Sequence, residues 1–247
     1  MLKFQDPITK INYKFEESSG IAKRRVESIL TKESETIKWI RTFSKDDVFY
    51  DIGANIGLYT IYAAPLVHSV YAFEPHVGNM HALLQNVAAN GYKNVYPYCV
   101  ALTEEFREEG YDVLPFNYDK MEIGSSNHQL SNEGRPDATK VVEYKPAFSL
   151  DALMNVGGMD SPNHIKIDVD GIELSVLSGM TGLLFSSNSL KSILCEYNPG
   201  SSRGKLDEFM AGYGFNLKET QLTAAGKKMI GKIDIDDLAH NRLYEKI

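Results

Sequence analysis

The chain has 247 residues, 43% hydrophobic and 24% charged, which fits one large α/β domain with insertions or two small domains. A formal net charge of -7 and a pI near 5.4, with no basic block to offset them, disfavour a groove that tracks nucleic-acid phosphates. Met1–Lys10 has no apolar signal-peptide core and no window is long and apolar enough to span a membrane, so a reducing cytoplasm is the expected location, with Cys99 and Cys195 as buried free thiols in strands.

Residues 1–45 read as an N-terminal extension packed on a core domain of residues 46–247. Residues 8–17 suggest a short strand pair. The basic run Lys23–Arg25 reads as a solvated helix end. Residues 26–43 place Ile37, Ile40 and either Trp39 or Phe43 at helical spacing, with Trp39 packing that helix on the sheet. An alternation then begins. DVFYD is a buried strand, LYTIYAA a short helix ended by Pro65, and SVYAFE the next strand. NMHALLQNVAANG is a helix closed by Asn90-Gly91, and NVYPYCV is a third strand, placed at a sheet edge by the missing donor of Pro97. HIKIDV and SILCEY are further strands around the helix ELSVLSGM. The helix GKLDEFMAGYG and the strands FNLKET and NRLYEKI finish the chain. Such alternation implies a mostly parallel sheet with helices on both faces. One region, about residues 103–147, has no clean period. An ordered insertion is expected there, a β-hairpin with loops, with disorder as the alternative.

The stretch DIGANIG, Asp51–Gly57, ends the first core strand with two glycines, where open parallel sheets place ligands. Gly53 permits a tight turn and the close approach of a ligand, and Gly57 opens the next helix. A tight turn without a ligand is the plain alternative. Glu74 closes the second strand about 20 residues on, the position from which an acid accepts from both ribose hydroxyls. The turn lacks G-x-G-x-x-G, and Asp51 would repel a pyrophosphate but attract an ammonium-bearing tail. That favours S-adenosylmethionine over NAD.

With VFYDIGANIGLYT, VYAFEP followed by Asn79 and Asn86, SLDAL, HIKIDVDGIELSVLSGM and ILCEYNP, residues 33–199 resemble the FkbM family of S-adenosylmethionine-dependent methyltransferases. Family members usually carry Glu where this chain has Asp170. The resemblance implies a class I, Rossmann-like methyltransferase fold with a seven-stranded sheet, and methyl transfer to a hydroxyl of a small molecule such as a saccharide. The residues expected around the cofactor are Asp51, Gly53, Asn55, Gly57, Glu74 and Ala101.

In HIKIDVDG, alternation puts Ile165, Ile167 and Val169 on one side, and Lys166, Asp168 and Asp170 on the other. Charges in a strand that should be apolar on both faces suggest chemistry, or else a strand end already in solvent with Lys166 paired to Asp168 or Glu173. In the functional reading Asp168 orients the acceptor hydroxyl or takes its proton. Lys166 keeps a neighbouring carboxylate ionised, and Glu196 faces the same cleft from the next strand. No metal is expected, although Asp168, Asp170 and Glu196 offer hard oxygen ligands. His76 lies near the expected ribose, and His128 could reach the cleft from the insertion. His68, His81, His164 and His240 look like surface or strand-end residues. An NAD-dependent oxidoreductase and a non-catalytic binding protein are the competing functions.

Overall fold

The computed structural model describes residues 1–104, 111–126, 128–131, 137–197, 204–232 and 238–247. Its strands are, in chain order, β1 (Leu2–Gln5), β2 (Asn12–Phe15), β3 (Val48–Ile52), β4 (Ser69–Phe73), β5 (Val95–Tyr98), β6 (Ala101–Leu102), β7 (Tyr111–Tyr118), β8 (Gln129–Leu130), β9 (Val141–Phe148), β10 (His164–Ile167), β11 (Ser192–Tyr197), β12 (Phe215–Leu222) and β13 (His240–Lys246). Seven of these form the central sheet, in the order β12-β13-β11-β10-β3-β4-β5. Strands β5, β4, β3, β10 and β11 run parallel, while β13 is antiparallel to both of its neighbours. Every residue of β3 and β4 is buried, as strands covered on both faces require. Pro97 lies in β5, at the sheet edge as expected.

Alternation along the strands divides two cores. Tyr50, Ile52, Phe73, Ile165, Ile167, Ile193 and Cys195 pack with side chains from the helices Leu150–Gly157, Glu173–Ser178, Thr181–Ser186 and Lys205–Gly212. Phe49, Val70, Val95, Leu194 and Leu243 form the other core, with the helices Leu58–Ala63 and Val77–Asn90 and the N-terminal segment. Trp39 belongs to this second core, 6% exposed, and its indole N–H donates to Ser192 Oγ at 2.9 Å. Its neighbour His164 is buried at the start of β10. Its ring stacks on Phe43 at 3.8 Å, with Nε2 3.1 Å from Asp47 Oδ2 and Nδ1 2.7 Å from Ser192 Oγ.

Residues 8–17 hold only one strand of the expected pair, β2; its partner is β1, nearer the N-terminus, and the β2 segment lies on the helix Val77–Asn90 through Lys14 N and Glu16 N, which donate to Asn90 and Asn86 side-chain oxygens. The single helix expected over 26–43 is instead three: α1 (Gly20–Glu27), α2 (Ile29–Lys32) and α3 (Ser34–Ile40). Glu33 breaks the run with φ −133° and ψ 62°, and its carboxylate turns inward to accept from Tyr59 Oη at 2.8 Å and Asn241 Nδ2 at 3.3 Å. Cys195 is buried and free, but Cys99 follows β5 and is exposed. In the aperiodic region β7 and β9 pair antiparallel over their whole lengths, with β6 beside β9 and β8 beside β7 as a separate four-stranded sheet. Among the described residues no helix is long and apolar enough to cross a membrane.

Candidate active site

The chain leaves β3 toward β4 on one side, and β10 leads to β11 on the other, so the carboxyl ends of β3 and β10 mark the point where strand order reverses. Two non-glycine residues sit there in the left-handed region, Asn55 at φ 53° and Asp170 at φ 58°, both of types that tolerate it. Gly53 has φ 79°, and a Cβ on it would lie 1.8 Å from the carbonyl oxygen of Asp168. The close approach that requires this glycine is therefore to the end of β10, whose Asp168 N donates to Ile52 O at 3.0 Å. Gly57, at φ 81°, caps the helix Leu58–Ala63, and a Cβ there would meet Leu83 at 2.9 Å.

A cleft of about 710 Å³ opens over these strand ends, and Gly53, Asn55, Glu74, Ala101 and Asp168 all line it. Asp51, Gly57, Lys166 and Glu196 stand outside its lining. Asp51 is fully buried behind the turn; Oδ2 accepts from Thr60 Oγ1 at 2.6 Å, and Oδ1 has no hydrogen-bond partner among the described residues. Burial pushes its carboxyl up, against the pull of Lys166 and Thr60.

Glu74 follows β4 directly and is only 6% exposed. Each carboxylate oxygen accepts one backbone N–H at 2.8 Å, from Asn55 and from His76. Burial nevertheless pushes its carboxyl up to about 7. Asn79, unremarked as a site residue in the sequence, lines the same cleft. Its Oδ1 accepts from Gly124 N at 2.7 Å, and both its Nδ2 and that of Asn55 donate to Ser125 O, at 3.3 and 2.8 Å. Segment 124–125 of the aperiodic region is thus tied to the glycine turn. From the other side Arg25 Nε donates to Gly124 O at 2.6 Å and Ser19 Oγ to Ile123 O at 2.6 Å. Arg25, read from the sequence as part of a solvated helix end, lines the cleft instead.

Lys166 is 3% exposed and bonds Asp168 Oδ2 at 2.9 Å, with its ammonium 5.0 Å from the Tyr59 ring centroid. Burial works to raise the Asp168 carboxyl, but the Lys166 charge and a hydrogen bond with Glu196 outweigh it and hold Asp168 well below the usual carboxylate range. The charge of Asp168, then burial, pushes Glu196 up. The two carboxyls thus titrate as a pair, in which the Lys166 charge favours the anion at Asp168 and the Asp168 charge favours the acid at Glu196. Among the described residues, no group of three or more His, Cys, Asp or Glu side chains gathers in a way that could hold a metal.

His128 reaches the cleft but both of its nitrogens are engaged. Nδ1 accepts from Asp119 N at 3.1 Å, which leaves Nε2–H to donate to Ser125 Oγ at 3.0 Å, and burial lowers its pKa to about 4. His76 is buried and caps the helix Val77–Asn90 through Nδ1. The Asn198-Pro199 dipeptide after Glu196 lies outside the described residues.

This sheet order, with one antiparallel strand and a cleft over the ends of β3, β4 and β10, defines a class I methyltransferase fold. The fold is shared by an rRNA methylase from Streptococcus thermophilus (TM-score 0.51, 11% identity, 87% of this chain and 96% of that one) and by a methyltransferase FkbM from Methylobacillus flagellatus KT (TM-score 0.52, 14% identity, 82% and 44%). The methyltransferase FkbM domain matches residues 51–217, and the chain belongs to that family of S-adenosylmethionine-dependent methyltransferases. Hexuronic acid methyltransferase AglP of Haloferax volcanii is 26% identical over 188 residues, 76% of this chain and 71% of that protein. The residues present fit the cofactor: Glu74 lines the cleft, and its carboxylate has acceptor capacity beyond its two backbone bonds, which suits ribose hydroxyls.

Proposed function

We propose that the chain methylates a hydroxyl oxygen of a saccharide-type small molecule. The observation that carries this reading is the Asp168 carboxylate, paired with Lys166 at 2.9 Å where the chain leaving β10 meets the cleft. The bound cofactor supplies a methyl group on a sulfonium, whose departing thioether is neutral and needs no general acid. The protein's task is to align the acceptor and remove one proton. Asp168 accepts the hydrogen bond of the acceptor hydroxyl and takes its proton as the oxygen–carbon bond forms. Lys166 keeps Asp168 charged until then, and Glu196 holds the carboxylate in place through the hydrogen bond between them. Glu74 receives the ribose hydroxyls, and Asn55, Gly53 and Ala101 shape the wall around the cofactor. Asp51 and Gly57 support the turn from behind. The name of the Haloferax relative supports a sugar as acceptor class.

The decisive experiment combines labelled S-adenosylmethionine with an acceptor panel and mass spectrometry of the product. Asp168→Asn should bind S-adenosylhomocysteine like the wild type and turn over about 10²–10⁴-fold more slowly. Normal turnover in that variant would move the proton acceptor to another residue, and a label on nitrogen or carbon would overturn the hydroxyl assignment.

A further inference from the structure

The cofactor cleft has a smaller neighbour. A cavity of about 330 Å³ lies between the N-terminal helices and the helix Leu58–Ala63, walled by Ile29, Leu58 and Tyr59 and by the charged groups of Arg25, Lys32 and Glu33. It meets the larger cleft at two residues that line both, Arg25 and Asp168. A molecule seated there would have the carboxylate of Asp168 at one end and the guanidinium of Arg25 beside it.

The charges in this cavity are unequally engaged. Asp168 is paired with Lys166, and Glu33 Oε2 accepts from Tyr59 Oη at 2.8 Å and Asn241 Nδ2 at 3.3 Å. Arg25 spends Nε on Gly124 O, and its two Nη groups carry no hydrogen bond among the described residues. Lys32 is 40% exposed and stands 3.6 Å from Glu33 Oε1, longer than a hydrogen bond. What is left over is donor capacity on two cations: the guanidinium of Arg25, fixed at one nitrogen and acting on Asp168 by its charge, and the ammonium of Lys32, ion-paired with Glu33 but not hydrogen-bonded to it. A planar fork of that kind matches a carboxylate. The ring of Tyr59 and the side chains of Ile29 and Leu58 offer an apolar wall to the C–H face of a sugar ring.

We infer that this side cavity is the acceptor pocket and that it selects a hydroxylated carboxylic acid, a uronic sugar by chemistry, through Arg25 with Lys32 assisting. The inference rests on the methyltransferase reading above. Arg25 grips the carboxylate, the sugar face lies on Tyr59, and a ring hydroxyl is delivered to Asp168.

Calorimetry tests it without turnover. Glucuronate, galacturonate, glucose and galactose are titrated into protein saturated with S-adenosylhomocysteine. At least one uronate should bind at least tenfold more tightly than its neutral parent. Arg25→Gln should bring the two within twofold, and Lys32→Gln should cut the preference several-fold. Lys32 is surface-exposed, so its variant keeps the test open if loss of the Arg25–Gly124 bond prevents folding. Equal affinity for acid and neutral sugars, no sugar binding at all, or a preference unchanged in either folded variant overturns the pocket. Those results leave cofactor binding standing. Failure of S-adenosylhomocysteine itself to bind the wild type would bring down the methyltransferase reading and the pocket with it.

Discussion

Glu74 is a carboxyl balanced between its charged and neutral forms. Its two backbone hydrogen bonds favour the anion, while burial favours the acid strongly enough to place its pKa at about 7. Glu74→Ala should weaken S-adenosylhomocysteine binding by about 1.5–3 kcal/mol, the range for hydrogen bonds to a charged group. It should also lower the melting temperature, because Asn55 N and His76 N lose their acceptor in a nearly closed site. The anion is the better acceptor for ribose hydroxyls, so wild-type affinity should fall as pH drops below about 7, and Glu74→Ala should lose that pH dependence; calorimetry at pH 6 and 8 reads both. A flat profile in the wild type would place the ribose elsewhere. Gly53 carries a different lesson. The sequence showed that something approaches the main chain there and suggested a ligand, but the backbone of Asp168 occupies the space a Cβ would need. Gly53→Val is therefore expected to fail in folding before it fails in binding, seen as a loss of soluble protein or a sharply lowered melting temperature. A stable Gly53→Val protein would mean that β3 and β10 can separate at their ends.

At the scale of elements, the alternating strands and helices from Val48 onward were legible because hydrophobic period and turn residues agree there. Strand β7 was not. Its sequence, YDVLPFNY, carries Pro115 and buries its last five residues in succession, so it shows no alternation to read. Arg25 was misread for a related reason: in a basic run nothing local distinguishes the side chain that turns to Gly124, 99 residues away, from its solvated neighbours. Three alternating charges drew attention to the end of β10, but the strand stops at Ile167 and only Lys166 of the three lies in it; Asp168 pairs with Lys166 just beyond, and Asp170 turns away at φ 58°. That Lys166 favours the anion at Asp168, and Asp168 the acid at Glu196, depends on packing no sequence displays. The 124–125 segment is held to the core by Asn79, Asn55 and Arg25, so single bonds there should control its opening. Asn79→Ala removes the acceptor for Gly124 N. Amide exchange at Gly124 and Ser125 should rise by an order of magnitude while β3 and β4 remain protected. Unchanged exchange would show that the remaining ties suffice.

Part of the acid sensitivity of the whole molecule lies away from the cleft, at the amino-terminal end of the sheet. His164 is buried between Asp47, Ser192 and Phe43, and burial lowers its pKa to about 4. An unfolded chain takes up this proton near pH 6.5, so the stability supplied by neutral His164 is complete above that pH and is lost as pH falls toward 4, by about 3 kcal/mol at most. Glu74 opposes the trend, since its raised pKa costs stability as pH rises toward 7. Comparing wild type with His164→Gln isolates the imidazole: the urea midpoint of the variant should fall less steeply between pH 6.5 and 4, and parallel slopes would refute the assignment. The order of the central sheet has a consequence in time. Strand β12 pairs only with β13, and β13 sits between β12 and β11. In vectorial synthesis β3, β4, β5, β10 and β11 precede β13 in the chain and can join without it, but β12, which also precedes β13, has no strand to receive it until residues 240–246 follow. The five parallel strands, over whose ends the cleft opens, can thus join first, and the antiparallel end of the sheet is added only once β13 is there to bridge β11 and β12.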